Sequence, residues 1–259
     1  MRNLIGKSLI YSGFLLLLIF ISCSRKIFIH NNIGILGHGG MGIKSYYPLD
    51  SYQSLHKAYT HYEGTEGDVQ ITKDTILIFW HNSTTPHSSK YIPELNYAKI
   101  KKYKYLLKKY NICKVDSFLN LHKNNKIISF DTKTHGCNDT CLHTLANTIY
   151  NLVEKHKTEN AFFVETNNPK LLNLLAKHKN YILFYYASNL DDALSKLQKT
   201  NFEGVSIHYS LLNRNDVKLL HLKGLKVMMW GMKTRKQVKK AISKGADYYQ
   251  TDAKITIIK

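Results

Sequence analysis

Eight short apolar, β-rich runs alternate with helical patterns along this chain, and that alternation constrains the fold more than any other feature. The runs cover 33–36, 67–71, 126–131, 161–165, 181–186, 204–208, 225–230 and 248–251. Between them, Tyr52, Leu55 and Tyr59 recur at helical spacing over 50–61, with Asp50 or Ser51 as the expected cap. Leu145, Ile149 and Val153 do the same over 140–156. Further helical patterns lie over 97–110, 115–123, 190–198, 215–222 and 234–243, the last stopping at Gly245, and Asn168-Pro169 opens another. The run 76–80 continues the second strand after a Lys73-Asp74-Thr75 turn, and 82–97, with Pro86 and Pro93, reads as a loop. Strands alternating with helices predict an α/β protein, a single (β/α)8 or TIM barrel. A doubly wound sheet is the alternative, weakened because no Gly-x-Gly-x-x-Gly turn follows the first strand. One domain over 33–254 of the 259 residues is long enough to bury a full core.

In such a barrel the chemistry sits where strands run into their following loops. The first strand leads to His38, and the second carries Glu66 and Asp68 and extends to His81. The third ends in Asp131-Thr132-Lys133, the fourth at Glu165, the sixth at His208, the seventh at Trp230 and the eighth at Asp252. Polar residues after four or more apolar ones are costly in a core, and their recurrence at one end of eight strands is hard to attribute to packing. Glu66 and Asp68 stand two apart, so in a strand they aim at one spot. Two carboxylates there repel unless a proton or cation lies between them, and a hard divalent ion, Mg2+ or Ca2+, suits oxygen ligands. A Trp such as Trp230 is more often core than pocket, but at a strand end it can also wall a lipid or glycerol moiety. Glu165, Tyr185 and His208 are rim candidates only, and His87, His122, His143, His156 and His178 read as surface residues.

These residues resemble the glycerophosphodiester phosphodiesterase family. That family opens with His-Arg-Gly-Gly, here Gly37-His38-Gly39-Gly40. It continues with an E-x-D-V-x-x-T-K-D-G stretch ending in His-Asp, here Glu66-Gly67-Asp68-Val69 through Thr72-Lys73-Asp74-Thr75 to His81-Asn82. Its third strand carries Glu-x-Lys, here Asp131-Thr132-Lys133, and its last two end in a Trp motif and Thr-Asp, here Trp230 and Thr251-Asp252. The resemblance implies a metal-dependent phosphodiesterase with one divalent cation. It implies Glu66, Asp68 and Asp131 as metal ligands and His38 and His81 as the acid–base pair, with Lys133 facing phosphate. Three positions depart from the pattern. Gly39 replaces an Arg, for which Lys44 is a candidate stand-in; Asn82 replaces an Asp; Asp131 replaces a Glu, as in the related sphingomyelinase D group. The alternatives are a phospholipase D-like enzyme acting on lysophospholipid or sphingolipid headgroups, and an inactive headgroup-binding lipoprotein, which Gly39 and Asn82 motivate.

Residues 1–22 lie outside this domain. Arg2 and Lys7 precede an uncharged stretch, 8–22, containing Phe14-Leu15-Leu16-Leu17-Leu18, and Phe20-Ile21-Ser22-Cys23 resembles a bacterial lipobox. Cys23 is then the lipidated first residue of an extracytoplasmic, membrane-anchored protein; an uncleaved anchor or plain signal peptide is the alternative. The net charge of +19 fits attraction to phosphates at a membrane surface. No nucleic-acid motif accompanies it. In that compartment Cys137 and Cys141 suit a local disulfide, leaving Cys113 free, although His135 and His143 beside them leave a zinc site open as the alternative.

Overall fold

A computed structural model of the chain describes residues 27–28, 33–44, 46–86, 88–102, 104–105 and 110–258. The leader 1–22, Cys23, His87 and the side chain of Lys44 lie outside the described residues. Among those described, no helix is long and apolar enough to cross a membrane.

Eight parallel strands form the barrel: β1 Gly34–Gly37, β2 Gly64–Ile71, β3 Ile127–Thr132, β4 Ala161–Thr166, β5 Ile182–Tyr186, β6 Gly204–His208, β7 Lys226–Met232 and β8 Tyr248–Thr251. β8 pairs with β1 (Tyr249 with Ile35) and β1 with β2 (Gly37 with Thr65), so the eight parallel strands close into a barrel. The helices α1 Tyr52–His61, α2 Val115–Leu121, α3 Asp139–His156, α4 Pro169–Leu175, α5 Leu190–Leu197, α6 Arg214–Leu222 and α7 Arg235–Ile242 surround it. Most start at a side-chain cap. Ser51, Asn138, Asn168, Asn189, Asn213 and Thr234 each accept from a backbone N–H of the first turn. Outward-facing strand residues pack under these helices in one large core that includes Leu55, Phe79, Phe118, Leu145, Ile149 and Val238.

Inside the barrel the alternation of side chains sets the layers. Leu36, Phe163, Phe184 and Met228 fill the floor, with Ile127, Ile182 and Tyr248 against them. Two residues further along each strand, toward the C-terminal mouth, the inward positions become polar, as at Ser129, Glu165, Ser206 and Gln250. The core therefore ends in a buried polar layer, and the site lies on top of it.

Two local expectations change. The run 76–80 turns back: Leu77–Phe79 pairs antiparallel with β2, Ile71 opposite Leu77 and Val69 opposite Phe79. Thr75 makes the turn with a φ of 63°, its N–H donating to Thr72 O, while the Thr72 hydroxyl donates to Asp74 Oδ1. Among the described residues of 97–110, only Tyr97–Ile100 is helical, and Lys104–Tyr105 pairs antiparallel with Tyr110–Asn111. A longer helix would stack Lys104 on Lys108 with no acidic residue in the run to offset them. Cys137 and Cys141 form a disulfide and Cys113 is a buried free thiol. Ahead of the barrel, Ile27–Phe28 pairs parallel with Ile257–Ile258.

Candidate active site

Because β2 and β3 run in register, Asp68 stands beside Asp131, and β3 in turn sets Asp131 beside Glu165 on β4. Glu66, one layer deeper on β2, faces the same way. Glu66, Asp68 and Asp131 each offer an oxygen, all within 4.8 Å of one another. Glu66 is 1% exposed, and its Oε2 accepts from the Gly39 N–H at 2.7 Å. Lys133 leaves the end of β3 and reaches back, its Nζ 2.7 Å from Asp68 Oδ1 and 2.6 Å from Asp131 Oδ2.

Two histidines flank this group. His38 opens the turn after β1, and its Nδ1 lies 2.9 Å from Asp252 Oδ1, beyond the end of β8. His81 follows the hairpin strand, with Nδ1 2.8 Å from Asp68 Oδ2. Gln70 holds that strand end in place: its Nε2 donates to the carbonyls of Trp80 and Asn82, at 2.6 and 2.8 Å. In both histidines the bond at Nδ1 leaves Nε2 for other work. The His81 side chain is 56% exposed and that of His38 26%, so both can meet a ligand at the mouth.

The electrostatics follow from crowding acids in a dry layer. Burial raises Glu66, against the pull of His38, and the charges of Asp68 and Asp131 raise it further. Burial likewise raises Asp131, with Lys133 opposing. Burial also acts to raise Asp68, but the bond from His81 and the Lys133 ammonium overcome it and hold that carboxyl below the usual range. Burial works against charge on Lys133 too, yet Asp131 and Asp68 keep the ammonium firmly protonated. Burial would depress His38, but the Asp252 bond and the Glu66, Asp252 and Asp68 charges push it up to about 9. Glu165, deeper, rises to about 7 through burial and the Asp131 charge. Among the described residues, too few cations face these acids for all to ionise. The oxygen-only donor set of Glu66, Asp68 and Asp131 therefore fits a hard divalent ion, which would relieve the repulsion.

A cavity of about 210 Å3 opens beside Lys133, lined by Asp131, His135, Asn167 and Tyr186. Tyr186 stacks on Trp230 at 5.4 Å between centroids, and His208 meets Trp230 edge-on at 4.7 Å. Trp230 and His208 thus form an aromatic wall on the far side of the mouth. Tyr185 points the other way, its hydroxyl donating to Asp192, so the rim residue on β5 is Tyr186. Glu165 is not on the rim either; it is 1% exposed and accepts from Ser129 and Gln250 in the layer below. His122 and His156 are buried, contrary to the surface reading. His122 sits under His56 and Phe118, and His156 lies between Asp116 and Glu159. Sequence reasoning missed Gln70, Tyr186 and above all Asp50. Asp50 is wholly buried, and its Oδ1 accepts from the Asp68 N–H at 3.0 Å. It read as an alternative helix cap, a role Ser51 fills.

Two of the three departures from the family pattern, Asn82 and Gly39, have local explanations. Asn82 is exposed, and the bond it accepts from Gln70 uses its backbone carbonyl, which is indifferent to Asp or Asn. Gly39 has a φ of 50°, and a Cβ there would lie 2.0 Å from Leu49 Cδ1. Gly39→Arg is therefore expected to destabilise the fold by about 2 kcal/mol through backbone strain and the clash with Leu49. It should not raise activity. Urea denaturation beside an activity assay checks both; an unchanged midpoint with faster turnover would refute this account.

Taken together, a closed parallel barrel with a carboxylate triad, a lysine and two histidines at its mouth has the equipment of a phosphodiester hydrolase. The chain belongs to the glycerophosphoryl diester phosphodiesterase family, whose model matches residues 41–256. Solved structures agree in fold. A glycerophosphodiester phosphodiesterase from Parabacteroides distasonis superposes with a TM-score of 0.71 at 20% identity, covering 85% of this chain and 93% of the other. A phosphodiesterase from Oleispira antarctica, solved with the product sn-glycerol-3-phosphate, gives 0.72 at 17% identity over 85% and 92%. The Thermotoga maritima glycerophosphodiester phosphodiesterase gives 0.68 at 18% identity over 86% and 96%. No curated protein matches the sequence.

Proposed function

We propose that the protein hydrolyses glycerophosphodiesters to glycerol 3-phosphate and an alcohol, with one divalent cation, Mg2+ or Ca2+, held by Glu66, Asp68 and Asp131. The observation that carries this reading is the placing of His38 and His81 on separate carboxylates around that triad, each with Nε2 left for substrate. The cation would supply charge neutralisation at the phosphoryl oxygens. Lys133 adds a fixed positive charge beside them. The exposed His81, fixed at Nδ1 by Asp68, takes the proton of the attacking hydroxyl at Nε2 as its oxygen bonds to phosphorus. His38, kept protonated by its carboxylate neighbours, gives a proton to the departing alkoxide as the other P–O bond breaks. When the attacker is the substrate's own glycerol hydroxyl, a cyclic phosphate forms first and water opens it with the two histidines in exchanged roles. The Tyr186–Trp230 wall bounds the space for the substrate's organic part. We also propose that lipid on Cys23 anchors the protein outside the cytoplasm.

The test is glycerol 3-phosphate release from glycerophosphocholine by the full chain in detergent, with Mg2+, Ca2+ or EDTA. Metal-dependent release supports the reading. Failure with every ion, together with cleavage of lysophospholipids, would transfer it to the phospholipase D-like alternative, and failure on both to a binding lipoprotein.

The acid role makes a prediction in the metal-free protein. NMR titration of His38 should show a midpoint near 9. Asp252→Asn should lower that midpoint, since a neutral partner no longer favours the imidazolium. The sign for stability follows: a raised histidine contributes fully below its unfolded pKa and loses the contribution as pH rises through the folded value. The wild type should therefore lose stability between about pH 6.5 and 9, and the variant should lose less. An unmoved midpoint in Asp252→Asn would remove the assigned cause.

A further inference from the structure

We propose that Asp50 is a fourth anionic group of the cation site, so that four carboxylates rather than three set the affinity for the divalent ion. The inference rests on the metal reading above and assigns a residue outside the triad.

Asp50 is wholly buried, and its backbone is held in the left-handed region at φ 60° while its N–H donates to Gly39 O at 3.1 Å. That conformation turns the side chain toward β2. Oδ1 accepts from the Asp68 N–H at 3.0 Å. Oδ2 is buried and has no hydrogen-bond partner among the described residues. Asp50 offers a ligand atom within 4.8 Å of one on Asp68 and one on His81. An unpartnered buried carboxyl oxygen costs about 1–3 kcal/mol, and burial with the Asp68 and Glu66 charges favours the neutral form of Asp50 until a cation is near. A residue needed only to hold the Asp68 backbone would require the Oδ1 acceptor alone, and asparagine provides that.

The charge balance indicates why a fourth acid would be used here. Lys133 already engages one oxygen of Asp68 and one of Asp131, and its ammonium offsets part of the charge a divalent ion would be attracted to. Asp131 is also one methylene shorter than the glutamate of the family pattern. Both features weaken a three-carboxylate site, and a negative charge at Asp50 compensates for both. Acting from behind Asp68, it needs no direct bond to the ion: in a dry layer its Coulomb attraction persists over several ångströms.

The test is calorimetric titration of the metal-stripped full chain in detergent with Mg2+, Ca2+ and Mn2+, comparing wild type, Asp50→Asn and Asp50→Ala. Asp50→Asn keeps the acceptor for the Asp68 N–H and removes only charge. Its affinity should fall by about tenfold or more, equivalent to about 1.4 kcal/mol, with Asp50→Ala no stronger. Its metal-free melting temperature should equal or exceed that of the wild type. A smaller loss of affinity in Asp50→Asn would overturn the proposal and leave the triad reading intact. Absence of binding by the wild type with any of the three ions would overturn both. Should Asp50→Ala fail to fold, the Asp50→Asn comparison decides alone.

Discussion

His38→Asn is expected to lower kcat/KM on a glycerophosphodiester by about three orders of magnitude, within the range that general acid–base catalysis contributes. Asparagine is the informative replacement. Its Nδ2 can stand near the place of Nδ1 and keep a donor on Asp252 Oδ1, which alanine would leave buried without its partner. The fold and the carboxylate triad should then survive, and the loss reports on Nε2 alone. His81→Asn should be comparably damaging. The double variant should be no more than about tenfold worse than the weaker single one, because groups serving one displacement fail as a unit. Cleavage by His38→Asn within about tenfold of the wild type would show that His38 is not the proton donor.

Glu66→Gln carries the second large effect. The amide keeps an acceptor for the Gly39 N–H and changes only the charge, so it isolates the demand for an anion at that point. Altering residues that merely support a metal ligand typically costs 10–100-fold in affinity or activity, and losing a proposed ligand should cost more than about 100-fold in both. The two measurements must move together. If divalent affinity fell and cleavage did not, the cation would be structural. If cleavage fell and affinity did not, Glu66 would act on the substrate instead. The metal-free variant should be no less stable than the wild type, since burial and the neighbouring acids already disfavour the Glu66 charge.

Much of this site could be read from the sequence because a parallel barrel converts strand order into position. Once eight apolar runs were recognised, the polar residues at their ends had to converge, and Glu66, Asp68, Asp131 and His38 do. What stayed hidden depends on contacts distant in sequence or on backbone detail. Asp50 beside Ser51 is indistinguishable from a cap until its positive φ is known. Tyr185 and Tyr186 differ only in which one the register turns inward. Gln70 looks like an ordinary strand residue, and only the reversal of the hairpin brings Trp80 and Asn82 within its reach. His122 and His156 were misread because polar residues are commonly exposed, while here His56, Asp116 and Glu159 meet their ring nitrogens.

The pairing of Ile27–Phe28 with Ile257–Ile258 bears on how the enzyme would face its surroundings. Phe28 lies six residues before β1 begins, and β1 begins at the barrel floor. Ile255 is bonded through its carbonyl to His61, at the end of α1 just before β2 starts, which is again the floor. Both ends of the domain are thus gathered on the side opposite the carboxylates. From Cys23 to Ile27 the chain can span no more than about 14 Å. A lipid on Cys23 would therefore seat the barrel on its base, close to the bilayer, with the mouth turned outward like a cup on a table. A protein held that way samples the fluid above it rather than the leaflet beneath. In that orientation, diesters without acyl chains would reach the mouth from solution.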